Sequence, residues 1–140
     1  MEKAIIVADD SMIIRNIIEK ALSDEYVVLK ASNGREAIKH ITDKKYEIIG
    51  MLLDLNMPES DGFIVLNYFK NNNLFNSYPI VIISGDDTSD TINKAFTYDI
   101  IDMINKPFSG DKIKDMVRKM INLKNLGFNR DFLIWYNYGN

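Results

Sequence analysis

The sequence predicts an α/β fold: a doubly wound parallel sheet of five strands with helices on both faces. Three observations carry that expectation. Short apolar runs bounded by turn residues alternate five times with segments whose apolar residues recur at helical spacing. The clearest run, residues 48–53, is nearly continuous rather than alternating, as a strand covered on both faces should be. Four of the runs are followed at once by polar residues suited to chemistry. In a parallel sheet all those ends share one edge, where ligands of open α/β sheets bind.

The elements follow in order. Residues 4–8 read as the first strand, ended by Asp9-Asp10-Ser11. Ile14, Ile17, Ile18, Ala21 and Leu22 then recur as one helix face. Residues 26–29 are rich in β-formers, and Ser32-Asn33-Gly34 turns the chain into a short helix with Ala37, Ile38 and Ile41 inward. The third strand, 48–53, delivers Asp54, and the chain breaks at Pro58 and Gly62 before a helix over 63–70. The fourth strand, 79–83, starts on Pro79, where a missing donor is tolerated. A helix over 88–98 has a thin apolar face of Ile92, Ala95 and Phe96, and 100–104 is the fifth strand. The last helix has the clearest pattern, with Ile113, Met116, Val117, Met120 and Ile121 on one stripe. Ser109 suits its N-cap, and Gly127 its end.

Composition narrows the function classes. At 140 residues the chain is expected to hold one domain over 1–126 and an aromatic tail over 127–140. A net charge of −3 argues against nucleic acid as a direct partner, since phosphate binding needs a basic surface. With no cysteine there is no disulfide, thiol nucleophile or Cys-based zinc site. Neither a signal peptide nor a run of about 18 apolar residues is visible, so no membrane association and a cytoplasmic location are expected.

The strand ends bring together Asp9 and Asp10, Asp54, Ser84-Gly85, and Asn105-Lys106-Pro107. Any one of these has a plain alternative: a strand-end aspartate often caps a helix, and Lys-Pro-Phe is often only a loop. Together they imply more. Three carboxylates in close proximity repel, and one would hold a proton unless cations offset them. A divalent ion and Lys106 balance three carboxylates. Oxygen-only ligands suit a hard ion, with Mg²⁺ the candidate. Ser84 adds a hydroxyl donor, and Gly85 leaves room beside it.

On these residues the chain resembles a two-component response-regulator receiver domain, from residue 3 to about 125. The match rests on Asp9-Asp10, Asp54 within Asp-Leu-Asn-Met-Pro, Asp61-Gly62, Ser84, and Lys106-Pro107-Phe108. Ser84 stands 30 residues and Lys106 52 residues after Asp54, the spacing of that family. The resemblance implies a flavodoxin-like strand order of 2-1-3-4-5. It implies Asp54 as the phosphoacceptor, Asp10 and Asp54 as Mg²⁺ ligands with the backbone carbonyl of Asn56, and Asp9 acting through water. Lys106 would contact the phosphoryl group, Ser84 would bond it after transfer, and a cis peptide is expected before Pro107. Asn56 and Asp86 would flank the path of hydrolytic water and so tune dephosphorylation. One position departs from the pattern: where the family has an aromatic switch residue, this chain has Met103. Methionine is adaptable enough to fill either state but lacks a ring that distinguishes them.

The expected function is a signalling switch phosphorylated by a histidine kinase, a phosphotransfer protein or a small phosphodonor, altering binding to a downstream protein. Phosphorylation and dephosphorylation of Asp54 would be its only chemistry, without turnover of a separate substrate. A second reading is the N-terminal receiver of a longer regulator with an enzymatic output domain, since residues 116–123 resemble the final helices of such receivers. A third is a Mg²⁺-dependent phosphohydrolase, disfavoured because Asn56 stands where those enzymes have a second acid. Glu59, Asp61, Asp86 and Asp87 otherwise look like solvated loop charges, and His40 like a solvated or capping residue. The tail carries Phe132-Leu-Ile-Trp-Tyr136, which invites docking on the chain itself, pairing into a homodimer, or a linker role.

Overall fold

The computed structural model describes residues 1–85 and 88–127. In chain order it contains β1 (Lys3–Ala8), α1 (Met12–Leu22), β2 (Val27–Ala31), α2 (Gly34–Asp43) and β3 (Glu47–Asp54). There follow α3 (Gly62–Asn71), β4 (Ile80–Ser84), α4 (Ser89–Ala95), β5 (Asp102–Asn105) and α5 (Gly110–Asn125). The strands form one parallel sheet in the order β2-β1-β3-β4-β5. The expectations attached to Asp86 and to the aromatic stretch 128–140 fall outside the described residues.

Successive side chains of a strand point to opposite faces, so a doubly covered sheet needs two cores. Ile5, Val7, Leu52, Val81 and Ile83 face one layer, where they meet Ile18 and Leu22 of α1 and Ile113, Val117 and Met120 of α5. Ala4, Ile6, Met51, Leu53 and Ile82 face the other, against Ala37 and Ile41 of α2 and Val65, Leu66 and Phe69 of α3. Leu123, which the expected α5 stripe omitted, is also fully buried.

The register fixes where the strands end. Ala8 pairs with Leu53, Asp54 with Ile83, and Ser84 with Asn105, so their carboxyl ends form a single edge. Capping side chains start the helices that leave that edge. Ser11 Oγ accepts from Ile14 N, Asp61 Oδ1 from Phe63 N and Ile64 N, and Ser109 Oγ from Lys112 N. Asp61 is therefore an N-cap of α3 rather than a solvated loop charge.

Three boundaries differ from expectation. β5 begins at Asp102, not Ile100: Ile100 and Ile101 are buried just ahead of it, with Ile101 N donating to Ile80 O of β4 at 2.8 Å, and such a buried approach looks the same in sequence as the strand itself. α4 ends at Ala95, and Phe96 is 44% exposed, because so thin an apolar face buries only Ala95. β2 is shifted to 27–31; as an edge strand it is mostly half-buried and its pattern is weak.

Candidate phosphoacceptor site

β1, β3 and β5 deliver Asp9, Asp54 and Lys106 to one point. Lys106 Nζ lies 2.7 Å from Asp9 Oδ2 and 3.1 Å from Asp54 Oδ2. Asp9 is fully buried and Asp54 nearly so, while Asp10 is exposed at the mouth. One carboxylate oxygen from each of Asp9, Asp10 and Asp54 lies within 4.8 Å of the others. Ser84 is buried at the neighbouring strand end, and its carbonyl accepts from Lys106 N at 2.9 Å. The Lys106–Pro107 peptide is cis, as expected.

Backbone amides hold the carboxylates in place. Asp9 Oδ1 accepts from Ser11 N at 2.9 Å, and Asp54 Oδ1 from Asn56 N at 3.1 Å. Burial pushes the Asp54 carboxyl above its ordinary value; the Asn56 amide opposes this, the Asp9 carboxylate adds to it, and Lys106 opposes it. For Lys106 burial is the largest single influence and acts downward. The facing carboxylates of Asp9 and Asp54 together outweigh it, so the ammonium sits above its ordinary value.

The donor set suits a hard divalent cation. It is all oxygen, and Lys106 alone does not balance three carboxylates. Among the described residues, Asp9 Oδ2 is buried and accepts no hydrogen bond of good geometry, and Lys106 Nζ is its ion-pair partner at 2.7 Å.

The loop after β3 is tightly confined. A side chain on Gly62 would collide with the Asp54 carbonyl and approach Leu55 Cα to 2.8 Å. Gly62 N also donates to Leu55 O at 3.0 Å, which closes the loop carrying Asn56. Gly85 differs, since a Cβ there would meet only Lys106 Cδ at an ordinary 3.8 Å. The room expected of it is therefore not a steric necessity. Met103 is half-buried against the helix α2–α3 core, opposite Ile82 of β4. His40 Nε2 donates to Lys30 O at 2.9 Å, a bond that ties α2 to β2.

One contributor was missed in the sequence. Arg15, on the second turn of α1, donates from Nη1 to the Asp9 carbonyl at 2.7 Å. It pins the backbone between the two acids of the pair. The only available signal was a polar residue among apolar ones, one turn beyond the N-cap.

A sequence model of the response regulator receiver domain matches residues 5–118. The chain belongs to that receiver family. Receiver domains are the phosphoacceptor switches of two-component response regulators, and the acidic pocket of the family binds Mg²⁺. Response regulator RR06 of Streptococcus pneumoniae is 35% identical over 122 residues, covering 82% of this chain and 53% of that protein. An NtrX-like protein of Rickettsia typhi is 33% identical over 116 residues, covering 82% of this chain and 24% of that protein. The chain thus spans between a quarter and about half the length of these curated relatives. Among solved structures, the receiver domain of Francisella response regulator 1452 is similar at TM-score 0.73 and 26% identity, covering 87% of this chain and 98% of that one. Chemotaxis response regulator CheY4 of Vibrio cholerae, at TM-score 0.74 and 21% identity over 86% of this chain and 99% of its own, shows that the fold is the CheY-like one.

Proposed function

We propose that Asp54 is the phosphoacceptor and that this receiver works as a switch rather than a turnover enzyme. The observation that carries the reading is the shared ammonium: Lys106 bridges Asp9 and Asp54 at the edge where all the chemical residues converge. An Asp54 carboxylate oxygen forms a bond to phosphorus as the donor's phosphorus–oxygen or phosphorus–nitrogen bond breaks, and the leaving group departs with that electron pair. Lys106 is a point charge on a flexible stem, able to follow the transferred group and offset its oxygens. Ser84 donates its hydroxyl to a phosphoryl oxygen in the product. Asp10 and Asp54, with the Asn56 carbonyl and with Asp9 through water, would hold Mg²⁺. Bound there, the ion supplies positive charge against the phosphoryl oxygens. Asn56 and Asp86 tune the later attack of water on the aspartyl phosphate, which returns Asp54 and inorganic phosphate.

The donor is a histidine kinase or phosphotransfer protein, acting in the cytoplasm, and the product state changes affinity for a downstream protein or a second copy. Met103 fills the switch position in both states. The greater length of the relatives favours a second reading, in which the same switch governs an attached output segment.

Incubation with phosphoramidate and Mg²⁺ should add one phosphoryl group by mass spectrometry, and EDTA should prevent it. Undiminished labelling of Asp54→Asn would overturn the assignment. Lys106→Ala should retain some labelling but lose the change in partner affinity.

A further inference from the structure

Helix α2 begins directly against the loop that follows Asp54. Gly34, its buried first residue, donates from N to Ser60 O at 2.7 Å. A Cβ on Gly34 would stand 2.7 Å from Asp61 O and 2.9 Å from Ser60 Oγ, nearer than such contacts allow. Alanine outranks glycine in a helix, so room rather than propensity calls for glycine here. The helix is a firm anchor. Asn33 Oδ1 accepts from Glu36 N at 2.9 Å, Glu36 Oε1 accepts from Ser32 N at 2.7 Å, and Ala37 and Ile41 are buried in the core.

The loop it holds is sharply bent. Ser60 N donates to Pro58 O at 2.7 Å, and Glu59 between them has φ 68°, a backbone conformation that a non-glycine residue keeps only under constraint. Two planar peptide units then lead from Gly34 to the carboxylate. The Asp61 carbonyl, against which Gly34 packs, shares a peptide with Gly62 N, which donates to Leu55 O at 3.0 Å. The Leu55 carbonyl shares its peptide with Asn56 N, which donates to Asp54 Oδ1 at 3.1 Å. Displacing Asp61 O would tilt the first unit, and the hydrogen bond to Leu55 would pass that tilt to the second. Held by Oδ1 in this way, Asp54 presents Oδ2 to Lys106 Nζ.

We propose that Gly34 is a positioning residue for the phosphoryl-transfer site: it lets α2 close on the loop after β3 and so fixes the Asn56 amide on Asp54. This rests on Asp54 as the phosphoacceptor and on Mg²⁺ at the same carboxylates.

The test compares Gly34→Ala with Ile41→Val, which loosens the same helix away from the loop. In amide NMR spectra of the metal-free protein, Gly34→Ala should move the Asn56 resonance. It should also raise the Mg²⁺ concentration at half-saturation, and slow labelling by phosphoramidate, by about tenfold each, as loss of an outer support of a metal site does. Ile41→Val should leave all three unchanged. Asn33→Ala removes the cap of α2 and adds no bulk; it should act in the same direction to a smaller degree, and it decides the matter if circular dichroism shows Gly34→Ala unfolded. An unmoved Asn56 resonance or an unchanged Mg²⁺ half-saturation overturns the proposal. So do equal changes in Ile41→Val, which mean a general loosening of α2. The resonance and the Mg²⁺ titration need no phosphodonor, so their failure is distinct from a failure of the Asp54 assignment, which labelling of Asp54→Asn reads.

Discussion

Lys106 Nζ lies closer to Asp9, at 2.7 Å, than to Asp54, at 3.1 Å. The cation expected to serve Asp54, the proposed phosphoacceptor, is thus shared with, and nearer to, a second buried acid. Asp54 is left under-compensated. Its raised carboxyl means the metal-free folded state binds more protons than the unfolded chain in the window from its ordinary value of 3.8 up to the raised one. Stability should therefore fall as pH rises through that window. Asp54→Asn should flatten this slope and stabilise the metal-free protein near neutrality by on the order of 1 kcal/mol. Urea melts at pH 4 to 7 in EDTA test it; a steeper slope in the variant would contradict the account.

Mg²⁺ should reverse that deficit in the native chain. Binding to the folded state alone adds about 2.7 kcal/mol at a concentration 100 times the dissociation constant. Asp9 is buried and engaged by Ser11 N and Lys106, whereas Asp10 is exposed at the mouth. Asp10→Asn should consequently weaken the Mg²⁺-dependent rise in melting temperature by about tenfold in concentration, and Asp9→Asn by clearly less. Equal losses in parallel titrations would refute the ordering.

Arg15 supports the acid pair through the Asp9 carbonyl rather than by touching ligand. A hydrogen bond from a charged donor is worth roughly 1.5–3 kcal/mol. Arg15→Ala should cost stability at the lower end of that range and weaken Mg²⁺ binding. Arg15→Lys should restore the stability in part and the Mg²⁺ affinity more fully. A variant with unchanged Mg²⁺ affinity would reduce Arg15 to ordinary packing.

Gly62 sets the path of the loop beneath Asp54. Gly62→Ala forces its methyl against the Asp54 carbonyl and Leu55 Cα, an overpacking that costs about 1–3 kcal/mol. Phosphorylation by a small donor should slow as well, because the same carbonyl belongs to Asp54, the proposed phosphoacceptor. By contrast, Gly85→Ala meets an ordinary contact and should leave stability within about 0.5 kcal/mol. Chemical denaturation of the two variants side by side checks the contrast.

Much of the site was legible because its signals are local. A continuous apolar run ending in Asp54 declares a buried strand and the edge it serves, and α5 shows its face by period alone. Parallel pairing then brings Asp9, Asp54, Ser84 and Lys106 together without knowledge of any single contact. Partner choice was not legible. Nothing near Lys106 in the chain shows that its ammonium favours Asp9, and nothing near Arg15 shows that it grips the carbonyl of Asp9. Ile100 and Ile101 match strand residues in hydropathy, yet they are buried just ahead of the strand. Apolar periodicity is a property of neighbouring residues, and the sequence by itself determined what depends on it: the elements, their order and the chemical edge. Distances among side chains 50 residues apart, and which buried charge takes which cation, depend on how the layers pack, so only the tertiary structure decided them.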